Sequence, residues 1–196
     1  LRLTPAELRL ALAGYVPRRR PAGSLRRAAV LVPILVSPGA GPEVLFLVRP
    51  TTLTSHSGQV AFPGGHIDPG DASPAAAALR EAEEELGIAR GRPEIIGELD
   101  DMNTHTGFHV TPIVALIETP LVLVPSPAEV ASHFKVPLAR LADPAERRTI
   151  RGLNRPDAAR AGSELRLYFW VRTPATIWGV TGHILTNLLS VIAEVR

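Results

Sequence analysis

The stretch Arg80-Glu81-Ala82-Glu83-Glu84-Glu85-Leu86-Gly87-Ile88 sets four glutamates between an arginine and a glycine. Just upstream, Ser73 suits a helix cap and Pro74 the first helical position, and Gly87 is a usual C-terminal stop, so a helix is predicted from Pro74 to Leu86. At about 100° per residue, Ala75, Leu79, Ala82 and Leu86 share a stripe that can pack on a sheet. Glu81, Glu84 and Glu85 share another face, three and four residues apart, while Glu83 points elsewhere. Like charges at those spacings cost about 0.2–0.5 kcal/mol per pair. They also fall in the last two turns, where the helix dipole disfavours negative charge. Arg80 reaches Glu84 at i+4, but one arginine cannot neutralise three carboxylates. A divalent cation would, and hard oxygen ligands suit magnesium or manganese, which bind through a few carboxylates plus substrate phosphates. A solvated acidic helix face explains these nine residues equally well.

Outward from the helix, strands and helices mix without strict βαβ alternation. Apolar, β-branched runs over Ala28–Val36 and Val44–Arg49 read as strands joined by the glycine- and proline-rich hairpin loop SPGAGPE. Pro33 places the first run at an edge or a bulge. A short strand at Val60–Phe62 ends in the break Pro63-Gly64-Gly65, and further strands are expected over Ile95–Leu99, His109–Glu118 and Glu164–Val171. Pro127–Leu141 reads as helical with a break at Pro137. A last helix runs from about Trp178 to Val195, with Val180, Ile184, Leu188, Leu189 and Ile192 as its apolar stripe. Residues 3–13 fit a short amphipathic helix. The expected architecture is α/β of the α+β kind, a mixed β-sheet sandwiched between α-helices.

With Gly64-Gly65 and the loop that follows, the glutamate helix resembles the Nudix box, G-x5-E-x7-R-E-U-x-E-E-x-G-U with U aliphatic. Every fixed position from Arg80 onward matches. Asp71 stands where the box has its first glutamate, and one extra residue separates it from Arg80, so a supporting role is expected for it. Upstream, Leu45–Gly65 (LFLVRPTTLTSHSGQVAFPGG) resembles the signature of the coenzyme A pyrophosphatase branch of Nudix hydrolases. Arg49, Gly58, Phe62, Pro63, Gly64 and Gly65 match it; Pro50 replaces a serine and Thr54 an arginine. Asp71-Ala72-Ser73 fits the lengthened box of that branch. Gly97–Asp101, Gly107–Pro112 and Ile177–Thr181 are similar to later family segments.

The resemblance implies a Nudix fold over residues 28–196, preceded by an N-terminal extension over residues 1–27 that carries the short helix. It also implies metal-dependent hydrolysis of coenzyme A or its derivatives to 3′,5′-ADP and 4′-phosphopantetheine, with Mg2+ or Mn2+ as cofactor. Glu81 and Glu85 match the principal metal ligands and Glu84 a third carboxylate that binds metal or orients water. Arg80 would hold Glu84 and the loop, Arg49 a substrate phosphate, and Gly64 or Gly65 would add a backbone carbonyl to the metal or substrate. The general base varies across the family; Glu98, Asp100, Asp101 and Glu118 are the candidates here. A pyrophosphatase for another diphosphate, such as ADP-ribose or a dinucleotide, is the first alternative. A non-hydrolysing nucleotide-binding module is the second, which the three intact carboxylates disfavour.

Composition allows one substantial globular domain. The 196 residues are 45% hydrophobic and 20% charged, globular values, and the absence of cysteine removes disulfides, thiolate zinc and cysteine nucleophiles. A net charge of +2 gives little support for nucleic-acid binding. Arg18-Arg19-Arg20 reads as a solvated tail and Arg26-Arg27 as a strand-flanking pair. No apolar run is long enough for a membrane span, and no signal peptide is evident, so a cytoplasmic monomer or homodimer is expected. Walker A, G-x-G-x-x-G, HExxH and G-x-S-x-G patterns are absent. His105 and His109 do not form a metal pair, since Gly107 breaks any shared helical face. His56 and His66 read as exposed loop histidines. Phe108, Phe169, Trp170 and Trp178 read as core rather than as stacking partners for adenine.

Overall fold

The computed structural model describes residues 3–51, 58–151 and 166–194, so Thr54 and His56 lie outside the described residues, as does the start of the strand expected from Glu164. In chain order the elements are α1 (Pro5–Ala13), β1 (Arg26–Val36), β2 (Glu43–Val48), β3 (Val60–Ala61), β4 (Gly64–His66), α2 (Pro74–Leu86), β5 (Glu94–Glu98), β6 (Met102–Asn103), β7 (Phe108–Glu118), β8 (Ser132–Pro137), α3 (Leu138–Leu141), β9 (Arg147–Arg151), β10 (Arg166–Trp170) and α4 (Gly179–Ala193). The described strands form an eight-stranded mixed sheet and a separate β9–β10 hairpin.

β1 is the spine. It pairs in parallel with β7 along its whole length, from Arg26↔Phe108 to Val36↔Glu118. Its other edge changes partner. Ala28–Val30 pair with β4, whereas Ile34 and Leu35 pair with β2. β1 and β2 therefore meet at one end and splay at the other, and the segment Val60–His66 fills the wedge, with β3 on β2 and β4 on β1. Pro33 sits where β1 passes from β4 to β2. Leu31 N–H, on that same edge, donates to Pro63 O at 2.8 Å, so two residues later the missing proline donor falls in the handover. The strand is interior rather than an edge, and the wedge is what tolerates the proline.

Alternation in β1 divides two cores. Ala29, Leu31 and Leu35, with Leu45, Leu47, Ile113, Ala115 and Ile117, face Ala77, Ala78, Ala82 and Leu86 of α2. Val32, Ile34, Phe46, Val114 and Leu116 face Leu8 and Leu12 of α1 and Ile184, Leu185, Leu188 and Ile192 of α4. The sheet is thus sandwiched between helices. Leu8 and Leu12 are 0% and 3% exposed, so α1 is built into the same core as the sheet.

Two further expectations change. Pro127–Leu141 is not helical over its length: Ser132–Pro137 is the strand β8, paired antiparallel to β2, and α3 spans only Leu138–Leu141. Alternation explains it, since Phe134 and Val136 turn inward while His133 and Lys135 are exposed, and Phe134 stacks on Phe46 at 5.4 Å. The buried stripe of α2 is also rotated. Ala77, Ala78, Ala82, Glu85 and Leu86 are buried, while Ala75 and Leu79 are only partly so, which carries Glu85 into the protein. Among the described residues no helix is long and apolar enough to cross a membrane.

Candidate active site

The wedge segment meets the glutamate helix at Gly64-Gly65. Gly64 has φ +156°, and a Cβ there would lie 2.6 Å from Val30 Cα, so the position excludes any side chain. A Cβ on Gly65 would lie 2.5 Å from Glu81 Oε1. These two glycines bring bare backbone onto both carboxylates, and Gly64 N–H donates to Glu85 Oε2 at 3.0 Å. Across the splay, at the end of β2, Arg49 brings Nη1 to 3.8 Å from Glu85 Oε1. Its Nε is buried and has no hydrogen-bond partner among the described residues.

Burial sets the electrostatics. Glu85 is 3% exposed, and desolvation pushes its carboxyl up to about 8; the Glu81 charge adds to this, while Gly64 N–H and Arg49 oppose it. Glu81 is also raised, first by burial, against the pull of Arg80. Glu84 is half exposed. Arg80 is the hub: Nε and Nη2 hold both oxygens of Asp71 at 3.2 and 3.1 Å, Nη1 donates to Glu81 and Glu84 at 2.9 and 3.0 Å, and Nη2 donates to His66 O at 2.9 Å. The fork raises the Arg80 guanidinium, chiefly through Asp71, and holds Asp71 below the ordinary carboxylate range. Asp71 is therefore placed as the anchor of Arg80.

Glu81, Glu84, Glu85, Arg80, Arg49, Gly64 and Gly65 all come together. Three of the four carboxylates considered as general base are engaged elsewhere. Arg19 pairs with Glu98 and Asp101, Tyr15 and the Arg18 N–H bond Asp100, and Thr111 donates to Asp101 at 3.0 Å. Arg18 and Arg19 are thus part of a strap across these carboxylates rather than a solvated tail. Glu118 lies at the opposite end of β7, beside Val36. His109 is buried and bonds Asn103, and His66 lies tilted against the Phe108 ring.

One carboxylate was missed. The backbone after β7 docks on the last turn of α2, where helix carbonyls lack internal partners: Val124 N–H donates to Leu86 O and Ser126 N–H to Glu85 O, both at 2.9 Å. The buried Val130 and the 2.9 Å bond from Ala131 N–H to Val48 O fix the next residues. Between them stands exposed Glu129, whose charge raises both Glu81 and Glu85. Nothing in its spacing marks it, because the docking is a tertiary event.

Among the described residues no three ligand side chains converge on one point, since Glu81 and Glu84 lean on Arg80. The donor chemistry nevertheless fits a hard cation: oxygen ligands only, with two carboxylates desolvated beyond what Arg49 and Arg80 offset. To hold a cation together with Glu85, Glu81 or Glu84 would have to turn from Arg80.

The profile of the NUDIX domain matches residues 25–153. An uncharacterized Nudix hydrolase, NudL, of Photorhabdus laumondii is 42% identical over 172 residues, covering 88% of each chain. Another NudL, of Yersinia pestis, is 39% identical over 163 residues, covering 83% of this chain and 78% of its own. Among solved structures, a MutT/nudix family protein from Enterococcus faecalis aligns over 98% of this chain and 70% of its own, with a TM-score of 0.53 and 15% identity. A NUDIX hydrolase from Alicyclobacillus acidocaldarius covers 85% of this chain and 91% of its own, with a TM-score of 0.50 and 19% identity. At such identities the two structures speak for the fold, and the domain match with the NudL relatives speaks for the family: the chain belongs to the Nudix hydrolases, enzymes that act on pyrophosphate bonds.

Proposed function

We propose that the substrate is coenzyme A or an acyl derivative, cleaved at its diphosphate to 3′,5′-ADP and 4′-phosphopantetheine, with Mg2+ or Mn2+ as cofactor. The observation that carries this reading is a convergence. The signature resembling the coenzyme A branch runs from Leu45 to Gly65, and two of its matching residues, Arg49 and Gly64, meet on the same carboxylate, Glu85, from opposite sides of the β1–β2 splay. A signature that converges on the metal carboxylate is placed to shape what the metal site accepts.

The chain's residues divide the work. Glu81 and Glu85 would hold the cation, with Glu84 as a third carboxylate. Arg80, clamped by Asp71, keeps Glu81 and Glu84 in place until they are needed. A bound cation neutralises the diphosphate and makes phosphorus more open to attack. Arg49 faces the Glu85 carboxylate, and its buried Nε lacks a partner among the described residues, which suits a phosphate. Exposed Glu129, whose charge reaches both Glu81 and Glu85, accepts the proton of the attacking water. The water oxygen bonds to one phosphorus, the bridging P–O bond breaks, and its oxygen leaves on the other phosphate.

The test is product analysis by mass spectrometry after incubation with coenzyme A, ADP-ribose and NADH, each with and without magnesium. Metal-dependent 3′,5′-ADP from coenzyme A, ahead of cleavage of the others, supports the reading. Preferential cleavage of ADP-ribose or NADH would keep the carboxylate chemistry and refute the substrate.

A further inference from the structure

The β9–β10 hairpin takes no part in the hydrolytic site, yet its outer face has the chemistry of a nucleotide platform. Its strands, RRTIR and RLYFW, carry no carboxylate, and pairing with Trp170 puts Arg147 on the inner face while Arg148 falls on the outer one. The two faces differ. Trp170 points inward, 0% exposed, with Nε1–H donating to Leu141 O at 3.0 Å. Side chains alternate along a strand, so Phe169 points outward, and Arg148, its cross-strand partner, points with it. Ile150 on that face is exposed. Trp178, the residue before α4, is 43% exposed. Its ring stacks with Phe169, centroids 6.4 Å apart and planes within 10° of parallel. The core reading of the aromatics therefore holds for Trp170 and fails for Trp178. Arg147 is taken up over the Tyr168 ring, whereas Arg148 is exposed and has no ion pair among the described residues.

The first turn of α4, beside Trp178, is tied to the segment that leads to Gly64-Gly65. Thr181, one turn beyond Trp178, donates Oγ1–H to Val60 O at 2.9 Å. Val60 pairs with Val48, the neighbour of Arg49, and stands four residues before Gly64, at most about 14 Å of extended chain. Parallel aromatic rings offer a stacking surface to a base, and an adjacent free guanidinium offers a fork to a phosphate monoester.

We infer that Phe169 and Trp178 stack on the purine at the nucleotide end of the substrate, and that Arg148 meets a phosphate on its ribose. This rests on the coenzyme A reading, whose nucleotide product, 3′,5′-ADP, carries both features. The experiment is calorimetric titration of 3′,5′-ADP and of 5′-AMP in EDTA, into wild type, Arg148→Gln and Trp178→Ala, beside turnover of coenzyme A and dephospho-coenzyme A. Wild type prefers 3′,5′-ADP, and that preference falls roughly tenfold in Arg148→Gln, as the loss of a charge-assisted hydrogen bond implies. Trp178→Ala weakens both nucleotides by roughly tenfold, the usual size of a lost base stack. The ratio of kcat/KM for coenzyme A over its dephospho form falls toward one in Arg148→Gln. Two variants that bind both nucleotides as wild type does, while coenzyme A is still cleaved, would overturn this subsite and leave the substrate reading intact. Nucleotide binding that responds to both variants in a protein that cannot cleave coenzyme A would keep the platform and overturn that reading.

Discussion

Replacing Glu85 by Gln should make the metal-free protein more stable at alkaline pH while removing its affinity for the cation. Burial raises the Glu85 carboxyl from its ordinary 4.5 to about 8, so the fold prefers the neutral form. The cost of ionising it is absent below pH 4.5, grows as pH rises, and is complete above pH 8. At 1.36 kcal/mol per unit, it amounts to roughly 4 kcal/mol at pH 8 and roughly 1 kcal/mol at pH 5. Glutamine keeps the shape and can still accept from Gly64 N–H, although its amide N–H2 faces Arg49 and leaves a donor unpaired, at about 1 kcal/mol. Urea unfolding in EDTA at both pH values measures the difference. The variant should exceed wild type by roughly 3 kcal/mol at pH 8 and match it near pH 5. Magnesium at a hundredfold over its Kd should return about 2.7 kcal/mol to wild type and little to the variant. Parallel pH profiles for the two proteins would refute the claim that Glu85 is held in the fold against its own charge.

Asp71→Ala frees the Arg80 fork, and kcat should fall by roughly 10- to 100-fold with circular dichroism unchanged, the scale of losing an outer-shell partner of a metal site. Gly65→Ala drives a methyl onto the Glu81 carboxylate; manganese titration should show a weakened site, and unaltered affinity would mean that Glu81 is not a ligand. Glu129→Gln should lower kcat by roughly 10²- to 10⁴-fold, the range for a lost acid–base group, with KM nearly constant. Leu12→Ala should cost about 2–5 kcal/mol in urea unfolding, since α1 is packed into the main core; a change below 0.5 kcal/mol would mark the helix as an appendage.

What the sequence disclosed was whatever local pattern determines. The α2 cap, its glycine stop and the run from Arg80 to Ile88 are local, and they located the helix and its carboxylates. The apolar runs of β1, β2 and β7 were equally legible. The rest depended on tertiary placement. Ala75 and Leu79 are as apolar as Ala77 and Ala78, so periodicity alone could not fix the rotation that buries Glu85. β4 reads Gly-Gly-His, a break by composition, and becomes a strand because β1 and β2 splay and leave an edge to fill. The proline-flanked start at Pro127 hid the alternation of β8, and with it the docking that positions Glu129. Asp71 could be counted into the box, but only the fork on Arg80 shows what it does.

The most direct test of the account is manganese titration by calorimetry of wild type, Glu81→Gln and Glu85→Gln, run beside metal-dependent turnover of coenzyme A. Wild type should bind the cation and hydrolyse the diphosphate, and both variants should remain folded while losing affinity and, by several orders of magnitude, rate. A variant that keeps wild-type metal affinity and wild-type turnover would contradict the claim that these two carboxylates are the centre of the site.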